Sequence, residues 1–338
     1  MKIFFNGGGY HQLVNTLRIA GHQVVQGAAP WVQYIQSDSD WKTYSNVLLN
    51  QIKEHKPDVY ICSKGFKWGR FICPETNIAI RKITKLNIYW SQDDPFFIPK
   101  FISLGMYRGY DIALSCSTEK FNVYIKAGIK PYLFWPAWDS EVRQECNINE
   151  KDKIDVIFVG TPYACTAIPR KDILLWIAKQ GLSLEIYGSN TWISNNQVKK
   201  SDGTIFIQGD EKLKPYYKGM HTDWRSLPNL FSKARINISN HVNLARMYLN
   251  DRVFLVMGTG GFLMVDHNPG IEQVFAHNKE LSFYEDWPTF KHRFNYYLKH
   301  VGVRKSIALN GQKKILTEHT YTNRAQQLLK IINENGVH

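Results

Sequence analysis

The feature that most constrains this fold is an alternation of short apolar runs with helix-like stretches, which begins again after residue 150. The runs are continuously apolar, which is typical of parallel strands buried on both faces. Together they predict an α/β fold with two parallel sheets. The predicted strands lie at 2–6, 22–27, 58–62, 87–92 and 111–116, and then at 155–160, 182–188, 204–209, 235–240, 262–266 and 281–286.

The two series predict two domains of similar size, which suits a chain of 338 residues. The polar stretch at 143–153 separates a first domain over 1–150 from a second over 151–318, and a last helix lies within 319–338. Helices are predicted at 43–55, 118–128, 170–180, 226–234, 244–257, 270–277, 287–299, 301–316 and 321–335.

Charge points to an anionic partner. The net charge is +13, and residues 151–338 carry 25 Lys and Arg against 16 Asp and Glu, whereas residues 1–150 carry 17 against 13. This excess fits nucleic acid, another anionic polymer or a phosphorylated small molecule equally well, because charge sets a sign and not a partner. The basic and aromatic stretch at 199–225 also holds four acids, so we interpret it as a solvated surface.

Several classes are excluded. No eighteen consecutive residues are apolar, so no membrane span is predicted, and the first residues lack a signal-peptide core, so we expect a cytoplasmic protein. The five cysteines form no C-x-x-C pair, which excludes a zinc ribbon and a disulfide framework. No cluster of His, Asp and Glu has the spacing of metal ligands, so neither a metal nor a bound cofactor is predicted.

The segment at 250–275 is the most informative. It predicts a helix, a glycine turn, a buried strand that ends at Asp266, and then Pro269-Gly270 before another helix. The first amides of such a helix have no intrahelical partner and favour an anion such as phosphate. Glycines and Pro-Gly are also common in ordinary connections of α/β folds, so the pattern alone leaves both interpretations open.

The segments DRVFLVMGTGGFLMVDHNPGIEQVFAHNKELSFYED and NGQKKILTEHTYTNR resemble the C-terminal signature of the CgeB-like spore-maturation glycosyltransferases, a branch of the group 1 glycosyltransferases. Similar segments at 88–95, 110–139 and 155–192 extend the resemblance over most of the chain. The resemblance implies a GT-B fold, in which two Rossmann-like domains face each other and a C-terminal helix crosses back to the first. It also implies a nucleotide diphosphate sugar, most simply a UDP-sugar, held by the second domain, and an acceptor bound by the first.

The resemblance assigns donor-binding roles residue by residue. Arg252 matches an arginine suited to a diphosphate, with a surface ion pair to Asp251 or Asp266 as the alternative. Glu272 is expected to accept from sugar hydroxyls, or only to favour the start of its helix. Tyr187 is expected near the nucleobase or in packing. The other expected donor-binding residues are Gly160, Thr161, Arg170, Gly188, Gly258, Gly260, Gly261, Gly270 and Ile271.

Candidate residues of the first domain follow its strands. Gly7, Gly8 and Gly9 allow a ligand to approach the backbone on the acceptor side, and they do not form G-x-G-x-x-G, which argues against a dehydrogenase. His11 begins the next helix, as a catalytic base or as a cap. Asp93 and Asp94 follow the fourth strand, where one of them would deprotonate the acceptor or both would only shape a turn.

Two positions depart from the pattern of the wider superfamily, which often has glutamates where this chain has Met247 and Leu255. Because an apolar side chain cannot accept from ribose hydroxyls, the identity of the donor stays open at this stage. The sequence predicts a metal-independent hexosyltransferase that moves a sugar from a nucleotide diphosphate sugar to an acceptor hydroxyl. The alternatives are sugar transfer to modified bases of DNA, and a non-catalytic protein that binds nucleotides or DNA.

Overall fold

The chain forms two compact units. Unit 1 comprises Met1–Asp139 and Thr320–His338, and unit 2 comprises Ser140–His319. The domain boundaries predicted from the sequence were at 150 and 318. The computed structural model describes residues 1–7, 10–27, 38–63, 66–67, 70–91, 98–140, 149–164, 168–200, 203, 205–220, 226–242 and 245–338.

The sheet of unit 1 has six parallel strands in the spatial order β2-β1-β3-β6-β7-β8. They are β1 (Lys2–Asn6), β2 (Gln23–Gly27), β3 (Val59–Cys62), β6 (Leu86–Ser91), β7 (Ile112–Ser115) and β8 (Lys130–Leu133). Every residue of β3, β6 and β7 is buried, as their continuous apolar sequences require. A separate antiparallel pair comprises β4 (Phe66–Lys67) and β5 (Arg70–Phe71).

Six α-helices lie in the described part of unit 1. They are α1 (His11–Ile19), α2 (Asp38–His55), α3 (Pro74–Arg81), α4 (Ile98–Ser103), α5 (Phe121–Lys126) and the last helix of the chain, α11 (Tyr321–Glu334). In α11, Leu328 and Ile332 are buried in the same apolar cluster as Leu13 and Leu17 of α1. A capping box between Thr320 and Asn323 begins α11. The end of the chain therefore completes the core of unit 1.

Unit 2 also has a sheet of six parallel strands, in the order β13-β10-β9-β14-β15-β16. They are β9 (Ile154–Val159), β10 (Leu184–Tyr187), β13 (Tyr217–Gly219), β14 (Ala234–Ser239), β15 (Leu263–Asp266) and β16 (Ser282–Tyr284). The strand predicted at 204–209 forms as β12 (Ile205–Gln208), but it pairs with β11 (Gln197–Lys199) in a separate antiparallel hairpin and not in the parallel sheet. The short strand β13 takes the edge position instead.

Among the described residues of unit 2, five α-helices flank the sheet. They are α6 (Arg170–Ala178), α7 (Leu227–Ser232), α8 (Asp251–Gly258), α9 (Trp287–Lys299) and α10 (Val301–Glu318). Phe290 and Phe294 of α9 are wholly buried in the largest apolar cluster of the unit, and a capping box between Asp286 and Thr289 begins that helix. No helix in the described part of the chain is long and apolar enough to cross a membrane.

Candidate functional site

The strand order of unit 2 locates a candidate site. From β9 the chain adds β10 and β13 on one side and β14, β15 and β16 on the other, so the order reverses between β9 and β14. In open parallel sheets, ligands bind outside the carboxyl ends of the strands at such a reversal. Gly160 and Thr161 follow β9 there, as predicted, and Asn240 and His241 follow β14.

Glycine is required at two positions beside this corner. Gly160 has φ +152°, and its amide donates to the carbonyl of Tyr187 at 2.9 Å. Gly188 has φ +151°, and a Cβ there would run into the carbonyl oxygen of Gly160. That oxygen also accepts from Nε1 of Trp192 at 2.6 Å. Because these backbone groups are already paired, Gly160 and Gly188 bring chain segments close together and do not offer free amides.

Arg170 joins the loops that follow β9 and β14. Its guanidinium is fully buried and donates from Nη1 to the carbonyl of Thr161 at 2.9 Å and from Nη2 to the carbonyl of Asn240. It lies 5.0 Å from the ring of Tyr163. Burial, and then the like charge of Arg252, lower the pKa of Arg170 to about 9, although Asp266 opposes them. An anion at this position would relieve both effects.

Arg252 is the second cation of the corner. Its Nη1 donates to the carbonyl of Val159 at 2.7 Å, and a Cβ on Gly160 would collide with the same nitrogen. The predicted alternative of an ion pair with Asp251 or Asp266 is not formed. Within the described ranges, the buried Nε atoms of Arg252 and Arg170 have no hydrogen-bond partner. Two adjacent guanidiniums with unpaired donors favour an anion with several oxygens, such as a diphosphate.

A buried acid and histidine complete the corner. Asp266 ends β15, and its carboxylate accepts from the backbone amide of His241 at 2.9 and 3.0 Å and pairs with Nδ1 of His241 at 2.7 Å. Tyr284, at the end of β16, is wholly buried, and burial followed by the charge of Asp266 raises its pKa well above the ordinary value. Sequence reasoning missed His241, and the available signal was its position directly after the strand at 235–240.

The predicted helix at 270–277 is wrong. Gly270 has φ +95°, and a single 3-10 turn spans Ile271–Gln273. The amide of Gly270 donates to the carboxylate of Glu272 at 3.1 Å, and the amide of Ile271 donates to the carbonyl of Asn268 at 3.1 Å. These amides are therefore satisfied within the loop, and the expected row of free donors at a helix start is not formed.

Glu272 and its neighbours stabilise this loop. The hydrogen bond from its own amide, and then the contact with His267 at 3.1 Å, keep the pKa of Glu272 below its ordinary value although burial opposes them slightly. A Cβ on Gly270 would run into Sδ of Met247, which has φ +59°. The expected donor contacts of Gly270, Ile271 and Glu272 stay predictions.

The glycine turn lies at the amino ends of the parallel strands, opposite to the corner after β9 and β14. Gly258 is the last residue of α8, and Gly260 and Gly261 lie between that helix and β15, at the amino end of the strand. The amide of Gly260 donates to the carbonyl of Met257 at 2.9 Å, and the amide of Gly261 donates to the carbonyl of Val256 at 3.0 Å. The turn therefore ends α8, as the sequence predicted, and the donor contacts of its glycines stay predictions.

Tyr187 packs within unit 2. It lies against the small cluster of Ile157, Leu230 and Ala234, and its hydroxyl donates to Glu185 at 2.8 Å. Burial and this hydrogen bond raise the pKa of Tyr187 to about 12. These contacts fit the packing alternative, and a contact with a nucleobase stays a prediction.

The candidates of unit 1 are described only in part. Gly7 follows β1, where a Cβ would collide with Oγ of Ser63, so glycine is required there. His11 is exposed at the first position of α1. Gly8, Gly9, Asp93 and Asp94 lie outside the described residues, and the catalytic roles of His11 and the two aspartates stay predictions.

No metal cluster is found among the residues with described positions, that is, no group of three or more His, Cys, Asp or Glu arranged to hold an ion. Independence from metals stays a prediction.

Comparisons with known proteins agree with this architecture. Residues 170–330 match a family described as glycosyl transferase-like. No curated protein matches the sequence. Among solved structures, the sucrose-phosphate synthase of Thermosynechococcus elongatus is 9% identical with a TM-score of 0.68, over 99% of this chain and 98% of that one.

Two further structures resemble the chain over its length. Anabaena HepE in complex with UDP-glucose is 11% identical with a TM-score of 0.64, over 99% of this chain and 100% of that one. A glycosyltransferase from Rickettsia africae is 11% identical with a TM-score of 0.63, over 99% and 98%. The α/β prediction is therefore confirmed, and the fold is GT-B.

Proposed function

We propose that the protein is a glycosyltransferase that moves a sugar from a nucleotide diphosphate sugar to an acceptor hydroxyl. The observation that carries this proposal is the adjacent pair Arg170 and Arg252 at the strand-order reversal of unit 2, each with a buried, unpaired Nε in the described structure. The glycosyl transferase-like match over 170–330 supports sugar transfer. The complex of HepE with UDP-glucose supports a UDP-sugar as the first donor to test.

The chemistry follows from charge. When the bond between the anomeric carbon and the diphosphate breaks, negative charge develops on the phosphate oxygens, and Arg170 and Arg252 stabilise it. Their fixed positions, held by the carbonyls of Thr161, Asn240 and Val159, mean that little reorganisation is needed during the reaction. Two cations at the leaving group are the reason to propose catalysis without a metal. The sugar that we propose to be transferred is a hexosyl group.

The acceptor proton has two possible destinations. In a retaining reaction, the departing phosphate takes the proton. In an inverting reaction, Asp94, Asp93 or His11 takes it, as the sequence analysis proposed. The stereochemistry of the product decides between them.

Three finer statements stay proposals. They are that the protein is CgeB-like, that it is cytoplasmic, and that it transfers a sugar to modified bases of DNA. A non-catalytic nucleotide-binding protein is the remaining alternative, because Met247 and Leu255 stand where the wider superfamily has acids and Sδ of Met247 lies against Gly270.

A panel of UDP-, GDP- and ADP-sugars tests the proposal by thermal shift and by donor hydrolysis or transfer. A true donor raises the melting temperature through mass action, and Arg252→Gln should abolish that shift. The matched control is Lys313→Gln, which also removes one positive charge but lies exposed on α10. No response to any donor would contradict the proposal.

The same panel separates the alternatives. A nucleotide that stabilises the protein without hydrolysis or transfer would indicate the non-catalytic protein. Affinity for DNA that falls steeply with rising salt would indicate the polyanionic acceptor, because each phosphate contact releases counterions.

A further inference from the structure

Asp266 and His241 form a buried pair that the proposed mechanism does not yet use. Asp266 is 1% exposed and His241 is 0% exposed. The carboxylate accepts both from the backbone amide of His241 and from its ring at Nδ1, 2.7 Å away. Since an ionised carboxylate only accepts, Nδ1 carries the proton and the ring is fixed in one orientation.

The other ring nitrogen, Nε2 of His241, is buried and without a hydrogen-bond partner among the described residues. Buried polar atoms in folded proteins are nearly always paired, so an orphaned one indicates a missing partner. The preceding residue, Asn240, binds Nη2 of Arg170 through its carbonyl. The corner therefore contains three unpaired nitrogens, Nε2 of His241 and Nε of Arg170 and of Arg252.

We propose that His241 is a third phosphate-binding residue, whose Nε2 donates a hydrogen bond to an oxygen of the donor's diphosphate while Asp266 positions the ring. This inference rests on the proposed function, since it names a further residue of the same donor site. It explains why a fully buried imidazole and carboxylate lie at the reversal between β9 and β14.

The proposed hydrogen bond depends on where the protons of His241 lie. With Nδ1–H directed at Asp266, a neutral ring presents a lone pair at Nε2, which repels a phosphate oxygen. Donation to the phosphate therefore requires a proton on Nε2 as well, and Asp266 and the phosphate both balance the charge of the ring. Among the described residues, Arg170 from α6 and Tyr284 from β16 interact with Asp266, and the ring centroid of Tyr248 lies 5.4 Å from that of His241.

Calorimetric titration of the full-length protein with UDP measures the affinity of the wild type and of His241→Gln, which has no imidazole. The variant should bind UDP about 10- to 100-fold more weakly, the fold-change typical of one hydrogen bond to a charged group. The matched control His292→Gln, exposed on α9, should bind as the wild type does.

Asp266→Asn tests the positioning role. It should also weaken UDP binding, and the double variant with His241→Gln should lose no more affinity than either single variant, because the two residues act as one unit. Additive losses would contradict the role of Asp266.

A spectroscopic measurement on the wild type keeps the inference testable if a variant does not fold. In protein with ¹⁵N-labelled histidine, the resonance of Nε2 of His241 should shift when UDP binds, because that nitrogen gains a hydrogen-bond acceptor. If UDP binds the wild type while Nε2 does not respond and His241→Gln binds equally well, this inference alone is overturned. If the wild type binds no nucleotide, the proposed function fails with it.

Discussion

Replacing Gly160 by alanine perturbs the corner without replacing any charged residue. Gly160 has φ +152°, a conformation that side chains rarely adopt, and the new Cβ would occupy the position of Nη1 of Arg252. The guanidinium is the end of a flexible side chain, so it can move away, but it then loses its 2.7 Å bond to the carbonyl of Val159. We expect a folded variant that is less stable and binds UDP more weakly.

Two contributions set the magnitude. The backbone conformation costs an alanine about 1–2 kcal/mol. Loss of a hydrogen bond from a charged donor costs about 1.5–3 kcal/mol. Together they destabilise unit 2 by about 2.5–5 kcal/mol, which for a unit of this length lowers the melting temperature by about 5–20 °C.

The matched control is Gly181→Ala. Gly181 also has a positive φ, +70°, but no heavy atom lies within 4 Å of a Cβ built there. Backbone strain alone should lower the free energy of unfolding of this control by about 1 kcal/mol and its melting temperature by about 2–4 °C. UDP binding should be unchanged. Calorimetric melting and UDP titration of both variants test the reasoning. Equal losses of stability with unchanged UDP affinity would refute it.

Three other predictions follow from single contacts. Gly188→Ala should destabilise the protein more than Gly160→Ala does, because its Cβ meets the backbone oxygen of Gly160, which cannot swing away; equal melting temperatures would contradict this. Arg170→Met should abolish nucleotide binding yet lower the melting temperature little, since the unpaired carbonyls of Thr161 and Asn240 are offset by the relief of burying a charge; retained UDP affinity would be the contrary result. Burial raises the pKa of Asp155, but hydrogen bonds from Ser183 and Arg235 outweigh it and leave the pKa below its ordinary value. This carboxylate therefore stabilises the fold above pH of about 4, and the contribution is lost as the pH falls through the lowered pKa. Acid unfolding of Asp155→Asn should start from a lower stability at neutral pH and depend less on pH, and an unchanged profile would contradict this reading.

The sequence predicted the strands best where burial dominates. The continuous apolar runs that form β3, β6 and β7 are buried on both faces, so hydrophobicity alone identifies them. The edge strands β8 and β13 were missed, because KPYL and YKG are short and only partly buried. The run at 204–209 was placed in the wrong sheet, because the pattern of a strand does not say which strand it pairs with.

The sequence pointed to the two arginines of the corner, but not to the histidine beside them. Arg170 and Arg252 were identified through the resemblance, and the structure brings them together with unpaired Nε atoms in its described part. The predicted helix at 270–277 does not form because Gly270 has a left-handed conformation, which the Pro-Gly sequence alone does not reveal. His241 is not part of any motif, and only the spatial order of the strands shows that it follows β14 beside β9.

The glycine turn lies between a helix and a strand, as the sequence predicted. Gly258 ends α8, and Gly260 and Gly261 precede β15, so the turn lies at the amino end of that strand. A donor contact for these glycines stays a prediction.

The most direct test of the account is a crystal structure of the protein soaked or grown with UDP. We expect the diphosphate at the corner after β9 and β14, with oxygens within about 3 Å of Nε of Arg170 and of Arg252. Density for the diphosphate at the loop of Gly270 and Glu272 instead, or in the cavity of about 310 Å³ beside Gly260 and Arg304, would contradict it.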